Sequence, residues 1–132
     1  MSPSAEAVVH DYYDALRNGD PLVPFFRDDV STVKFGISES LFGSDEIARA
    51  LAEQTETTDN WTVSSRHLVV DERDDFATMA DDVTMAWTDT TSGDRHRFDS
   101  RWSATLVNQP PAGDGARDWR FAMMHVSAPH DL

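Results

Sequence analysis

The chain has 132 residues, of which 39% are hydrophobic, and its four Trp and seven Phe are typical of a folded domain with a packed core. It contains no Cys, which excludes disulfides, thiolate metal sites and a thiol nucleophile. Its formal net charge of −13 argues against a nucleic-acid partner, and no apolar run reaches the roughly 18 residues of a membrane span.

The first fifty residues predict three helices and one strand. Ser2-Pro3 is typical of a helix start, and apolar residues at helical spacing continue to Asn18-Gly19, where the helix ends. Asp20-Pro21 begins a second, short helix. A strand is predicted over residues 30–37, and Gly43-Ser44 then opens a third helix.

The rest of the chain predicts an antiparallel meander. Four segments rich in Val, Thr, Trp, Phe and Met are separated by turn sequences, and they cover residues 61–72, 76–89, 95–108 and 117–127. The stretch NQPPAGDGA is predicted to be the last hairpin loop. Strands of this length favour a bent sheet. We therefore expect one α+β domain over residues 1–132, cone-shaped, with three N-terminal helices in the concave side of a strongly curved, mainly antiparallel sheet.

The last predicted strand is apolar on both of its faces. Strict alternation puts one set of residues on one face (Trp119, Phe121, Met123, His125 and Ser127) and a second set on the other (Arg120, Ala122, Met124 and Val126). Helices can cover only one side of the sheet. A second copy of the chain is the simplest cover for the other side, which predicts a homodimer through the sheet face.

The charged residues are strongly biased. There are 18 Asp, 6 Glu and 10 Arg, but a single lysine, Lys34. An acidic face could bind a basic partner, but that would not require the loss of lysine. A cytoplasm with molar salt explains the bias better, because the Debye length there is about 3 Å and a carboxylate surface maintains solubility. This bias predicts a protein from an extreme halophile. The N-terminus lacks the pattern of a signal peptide, so we also expect the protein to be soluble and cytoplasmic.

Two C-terminal stretches, SRWSATLV (100–107) and WRFAMMHVS (119–127), carry a family resemblance. Through Arg101-Trp102-Ser103, Trp119, His125 and Ser127 they resemble the last two strands of the SnoaL-like branch of the nuclear-transport-factor-2-like superfamily. The order of elements agrees from about residue 4 to residue 130. The resemblance implies a pocket between helices and curved sheet, and dimers packed through the sheet. It implies no single reaction, because relatives include ketosteroid isomerases, polyketide cyclases, dehydratases, hydrolases, ligand binders and the kinase II association domain.

Three residues are candidates for catalysis. His125 could act as a general base near neutral pH, or its ring could pack beside Ser127 and hold the strand end. Asp99 lies inside a strand segment, where it could be a desolvated acid or part of the solvated surface. Tyr13, with its neighbour Tyr12, lies on the core side of the first helix, so that one hydroxyl could polarise a carbonyl, or both rings could fill the core.

A second set of residues, which includes Tyr12, could bind a ligand. Arg101 could hold a carboxylate bidentately or pair with Asp99. Three tryptophans could form the wall of a pocket for a flat or apolar ligand, or belong to an ordinary core, and these are Trp61, Trp87 and Trp102. The five histidines show no metal-ligand spacing and there is no phosphate loop, so neither a metal nor a cofactor is expected.

The function expected from these residues is that of a small-molecule pocket protein. It would act by proton transfer, as an isomerase, cyclase or hydrolase, on a small apolar or carbonyl-containing ligand. The alternative is a non-catalytic module that binds a ligand or serves as a dimeric interaction domain.

Overall fold

The computed structural model describes residues 3–109 and 118–131, so the predicted loop NQPPAGDGA falls mostly outside the described residues. The helical elements are α1 (Ala5–Asn18), one 3-10 turn (Val23–Phe25) and α2 (Ser44–Thr57). The strands are β1 (Val33–Phe35), β2 (Ser40–Phe42), β3 (Thr58–Ser65), β4 (Val69–Glu72), β5 (Phe76–Asp89), β6 (Arg95–Gln109) and β7 (Asp118–Ser127).

Helix α1 has defined ends and one buried face. The side chain of Ser4 accepts a hydrogen bond from the amide of Ala7, which caps the first turn. Gly19 ends the helix in the left-handed conformation, with φ at 72°, as expected from Asn18-Gly19. The predicted cap, Ser2, lies outside the described residues. The buried face of α1 carries Tyr12 and Tyr13. Both side chains therefore lie against the sheet, because α1 packs on it with this face.

The prediction of three helices is wrong, because the described residues contain two α-helices. The second predicted helix is the 3-10 turn, closed by a hydrogen bond from the amide of Phe26 to the carbonyl of Val23. Pro21 and Pro24 have no amide hydrogen, so this short segment cannot make enough i→i−4 bonds for an α-helix. Helix α2 starts at Ser44 as predicted and buries Ile47.

The sheet is mixed but mainly antiparallel, as predicted. Its strand order is β2-β1-β7-β6-β5-β3, with β4 paired to β5, and the pair formed by β1 and β7 is parallel. Strands β5 and β6 agree closely with the predicted segments 76–89 and 95–108. The predicted strand 61–72 is divided into β3 and β4, which both pair with β5. The predicted strand 30–37 shortens to β1, which forms a hairpin with the unpredicted β2.

A bulge in β7 changes which residues face the helices. Leu106 pairs with Phe121 and Thr105 pairs with Met123, so Ala122 is an extra residue with no partner in the register. Strict alternation along this strand was therefore wrong. The residues that face the helices are Trp119, Phe121, Met124 and Val126, whereas Met123 and His125 are exposed on the other side. A similar register shift in β3 lies at Asn60, whose φ is 53°. Such bulges bend the strands that carry them.

The sheet thus has an inner face, covered by α1 and α2, and an outer face that no described element covers. Most of the buried core lies between the helices and the inner face. The outer face exposes large apolar side chains, including Phe76 (48%) and Met123 (40%). No helix among the described residues combines the length and apolar character needed to cross a membrane.

Candidate functional site

A cavity of about 170 Å³, here called the inner cavity, lies between the helices and the inner face of the sheet. Its aromatic wall consists of the three predicted tryptophans, Trp61, Trp87 and Trp102. The rings of Trp61 and Trp87 stack with centroids 4.8 Å apart and an interplanar angle of 18°. Such stacked rings offer a flat apolar surface to a flat ligand. The structure therefore places the three tryptophans that were predicted as a pocket wall in one cavity.

Tyr12 places a phenol at the inner cavity. Its residue is 2% exposed, and its ring makes edge contacts with Trp102 and Phe121. Within residues 3–109 and 118–131 its hydroxyl has no hydrogen-bond partner. Burial, and secondly the nearby charge of Glu39, raise the pKa of Tyr12 well above its ordinary value of 10.0. The hydroxyl therefore stays protonated and can donate a hydrogen bond to a ligand.

Lys34 and Glu39 form an ion pair at the same cavity. Lys34 lies in the middle of β1, on the inner face, with its side chain 7% exposed, and its Nζ donates to Glu39 Oε1 at 3.0 Å. The Glu39 side chain is 37% exposed. Sequence reasoning did not select either residue. The signal was present, because Lys34 is the only lysine of the chain and stands between Val33 and Phe35 in an apolar strand.

The turn between β1 and β2 positions Glu39. The amide of Gly36 donates to the carbonyl of Glu39 at 2.9 Å, which closes the hairpin. A Cβ atom at position 36 would lie 2.8 Å from Cγ and 2.9 Å from Oε1 of Glu39. The missing side chain of Gly36 thus leaves the space in which Glu39 folds back towards Lys34.

Tyr13 is committed to a buried network instead of the inner cavity. Its hydroxyl donates to Asp81 Oδ2 at 2.9 Å. Asp81, 4% exposed, also accepts hydrogen bonds from the Ser65 hydroxyl at 2.6 Å and from the His67 amide at 2.9 Å. Burial, followed by the charge of Asp81, raises the pKa of Tyr13. The network joins α1 to the corner between β3 and β4, where the predicted strand 61–72 divides.

Arg101 and His125 come together, but on the outer face. They line a groove of about 420 Å³ that is open to solvent, here called the outer groove, together with Ser103 and Ser127. The ring of His125 makes an edge contact with Phe35 at a centroid distance of 5.6 Å. The bulge at Ala122 is the reason that His125 points away from the inner cavity.

Asp99 lines neither the inner cavity nor the outer groove. It is exposed on the outer face, where it accepts a hydrogen bond from the Thr84 hydroxyl at 2.9 Å. Its ion pair is with Arg97 at 3.5 Å and not with Arg101. Among the described residues no group of three or more His, Cys, Asp or Glu side chains could hold a metal ion.

Comparison with known proteins assigns the family. The model of the SnoaL-like domain matches residues 5–131. The chain belongs to the SnoaL-like family. This match agrees with the family resemblance of the two C-terminal strands. The matched region extends over nearly the whole chain. A comparison with curated proteins finds no match.

Solved structures share the fold of this SnoaL-like domain. A candidate dehydratase of the NTF2-like family from Streptomyces avermitilis has a TM-score of 0.79 at 15% identity, with 97% of this chain and 95% of that chain covered. A ketosteroid isomerase-like protein from Erwinia carotovora atroseptica has a TM-score of 0.73 at 19% identity, covering 96% and 94%. A candidate calcium/calmodulin-dependent protein kinase II association domain from Xanthomonas campestris has a TM-score of 0.74 at 19% identity, covering 96% and 86%. Because these sequence identities are no higher than 19%, the three structures show that this chain shares their fold and show nothing about a shared activity.

Proposed function

We propose that this SnoaL-like domain binds a small, flat, carbonyl-containing molecule in the inner cavity and catalyses proton transfer on it without a cofactor. The observation that carries the proposal is the protonated hydroxyl of Tyr12, which lines an aromatic cavity beside the Lys34–Glu39 pair and has no partner among the described residues. Relatives of the same fold that are named as an isomerase-like protein and a candidate dehydratase support chemistry of this kind.

The proposed step is an enolisation. The Glu39 carboxylate removes a proton from the carbon next to the ligand carbonyl, the electron pair of that C–H bond forms a carbon–carbon double bond, and the π electrons of the carbonyl move to its oxygen. The Tyr12 hydroxyl and the Lys34 ammonium donate hydrogen bonds to the developing oxyanion. In a β,γ-unsaturated ketone, Glu39 then returns the proton to the γ carbon and the carbonyl re-forms, which completes an isomerisation with no net change in atoms or electrons. The same enolate could instead begin a cyclisation or a loss of water.

Tyr12 takes the role in this proposal that was predicted for Tyr13. The hydroxyl of Tyr13 is bonded to Asp81 and lies away from the inner cavity, whereas that of Tyr12 is free among the described residues. Catalytic roles for His125, Asp99 and Tyr13, and ligand binding by Arg101, stay predictions.

Deuterium exchange into a simple ketone tests the proposal. Acetophenone is incubated with the protein in heavy water, and the loss of its methyl proton signal is followed by NMR. We expect exchange faster than in buffer, reduced about a hundredfold or more by Tyr12→Phe and by Glu39→Gln, the lower end of one general acid–base contribution. Tyr13→Phe is the matched control and is expected to retain the rate.

Each other outcome has a defined meaning. Binding of acetophenone without exchange would refute catalysis on ketones and favour the non-catalytic ligand-binding module. The absence of binding would refute the inner cavity as the functional site. Loss of exchange in folded Tyr13→Phe, with Tyr12→Phe unaffected, would return the role to Tyr13.

A second candidate, a dimeric interaction module, is favoured by the outer face. This face exposes Phe42, Phe76 and Met123, and a relative of the same fold is named as a candidate association domain. We propose that two copies of the chain pack through this face, since burial of apolar side chains stabilises association. Light scattering should then report twice the chain mass of 14.8 kDa.

A charge on the outer face should separate the two copies. Met123→Glu is expected to give a monomer, because the carboxylate would be buried in the interface. Val30→Glu is the matched control, since Val30 is 91% exposed in a loop, and it should remain dimeric. A monomeric wild-type protein would contradict the interface.

We also propose that the protein works in a cytoplasm with high salt. The support is its composition, with 24 acidic residues against 11 basic ones and a single lysine.

A further inference from the structure

The inner cavity carries no formal net charge, although the chain as a whole carries −13. The ammonium of Lys34, the only lysine, is balanced there by the carboxylate of Glu39 at 3.0 Å. The nearly complete burial of Lys34 weakens solvent screening, so the balance of this pair dominates the charge that a ligand meets in the cavity.

Lys34 and Tyr12 both have hydrogen-bond donors at the inner cavity that are not used within the described part of the chain. The Lys34 ammonium carries several N–H donors, and Glu39 accepts one of them. In the described part of the chain no other acceptor is bonded to Nζ, and the Tyr12 hydroxyl is also without an acceptor. A ligand that presents an acceptor oxygen and no charge, such as a ketone, would satisfy these donors without disturbing the ion pair.

A carboxylate ligand would bind more weakly than a neutral ketone, because of repulsion from Glu39. It would present acceptor oxygens too, but it would place a second anion beside Glu39, and the two carboxylates would compete for one ammonium. The surplus of acidic residues in the rest of the chain adds to this repulsion. The penalty depends on Glu39 being held against Lys34, and the space above Gly36 is what allows Glu39 to stay there.

We infer that the Lys34–Glu39 pair makes the inner cavity selective for neutral carbonyl compounds over carboxylates, and that Glu39 is the residue that determines this selectivity. The inference rests on the proposed function, because it requires the inner cavity to be the binding site. It goes further by specifying the charge of the substrate and by predicting that one substitution reverses the preference.

Binding of two probes of the same shape tests the inference. Acetophenone and benzoate share one skeleton, with a methyl group in the ketone where the carboxylate has an oxygen. Each is titrated at fixed ionic strength while the indole N–H signals of Trp61, Trp87 and Trp102 are followed by NMR. The signal of Trp119 is an internal reference, since this residue is buried outside the inner cavity.

We expect the wild-type protein to bind acetophenone at least about tenfold more tightly than benzoate, on the scale of one charge-assisted hydrogen bond. Glu39→Gln leaves the ammonium of Lys34 without its counter-charge, so benzoate should become the tighter ligand by a similar factor. Glu53→Gln removes the same charge from an exposed position of α2 and should keep the wild-type ratio.

The outcomes separate this inference from the proposed function. If neither probe shifts the cavity tryptophans, the proposed function fails and the selectivity with it. If both probes bind equally to the wild type, or if Glu39→Gln keeps the wild-type ratio, binding stands and the selectivity is overturned. Should Glu39→Gln not fold, the uncharged double variant Lys34→Met/Glu39→Gln is used. It should bind benzoate no better than acetophenone, and a preference for benzoate there would also overturn the inference.

Discussion

The adjacent residues Tyr12 and Tyr13 allow one substitution to be made twice with opposite expected results. Both rings are buried, and replacing either by Phe removes only a hydroxyl. The Tyr13 hydroxyl donates to the carboxylate of Asp81, whereas the Tyr12 hydroxyl has no partner among the described residues. Tyr13→Phe should therefore destabilise the fold while Tyr12→Phe should not.

The structure sets the size of the difference. A hydrogen bond to a charged acceptor contributes about 1.5–3 kcal/mol to stability, and Asp81 retains two other donors, Ser65 and His67. We therefore expect Tyr13→Phe to lower the free energy of unfolding by about 1.5–2 kcal/mol. With an unfolding entropy of roughly 2.1 cal/mol/K per residue, the 132-residue chain would lose about 5–7 °C in Tm. The change in Tyr12→Phe should stay below about 0.5 kcal/mol, because no bond is lost.

Urea denaturation followed by tryptophan fluorescence measures both variants, at one protein concentration and one salt concentration. Equal slopes of free energy against urea are required before the midpoints are compared. The reasoning is refuted if the two variants lose the same stability, since that would show that the Tyr12 hydroxyl has a partner. It is also refuted if Tyr13→Phe is neutral.

Three further predictions concern pH, the β1–β2 turn and salt. Burial raises the pKa of both tyrosines of the chain, Tyr12 and Tyr13, above the ordinary 10.0, so their neutral forms stabilise the fold below that pH. This stability should be lost as the pH rises above 10.0, and tyrosinate absorbance should appear together with the loss of tertiary circular dichroism; ionisation in a still-folded protein would contradict it. Gly36→Ala should push Glu39 away from Lys34 and raise the affinity for benzoate in the direction of Glu39→Gln; an unchanged affinity ratio would show that Glu39 does not need this space. The midpoint of thermal unfolding should rise markedly from about 0.1 M to molar salt, because screening reduces repulsion among the acidic residues, and a flat response would exclude adaptation to high salt.

Long strands between clear turn sequences were predictable from the sequence. Strand β5 was predicted at residues 76–89 and β6 at residues 95–108, because these segments are rich in strand-forming residues and are bounded by turn sequences. The family was also predictable, since Arg101-Trp102-Ser103 and the last strand carried the resemblance that the family match confirms.

The orientation of the last strand was not predictable in the same way. Residues 121–124 read Phe-Ala-Met-Met, and nothing in this run shows that Ala122 lacks a partner. The position of a bulge depends on the register with the neighbouring strand, which is a tertiary property. As a result His125, expected on the same face as Trp119 and Phe121, lies in the outer groove on the opposite face.

The polar half of the inner cavity was missed for a related reason. Residues 30–37 were predicted as one strand, so the turn that begins at Gly36 and brings Glu39 back to Lys34 had no place in the prediction. The aromatic half was easier to predict, because Tyr12, Trp61 and Trp102 are large apolar residues in well-patterned elements. A single lysine inside an apolar strand remains the one local signal for this pair.

The attachment of the β1–β2 hairpin has a consequence for the rate at which ligands exchange. This hairpin carries Lys34 and Glu39, and it joins the sheet along β7 through three register pairs, from Val33 to Phe35, whereas β5 and β6 pair along most of their length. Short pairings at a sheet edge open locally at a lower free energy than central strands do. Amide protons of β1 should therefore exchange with solvent sooner than those of β5. A ligand could then leave through this side while the rest of the domain stays folded.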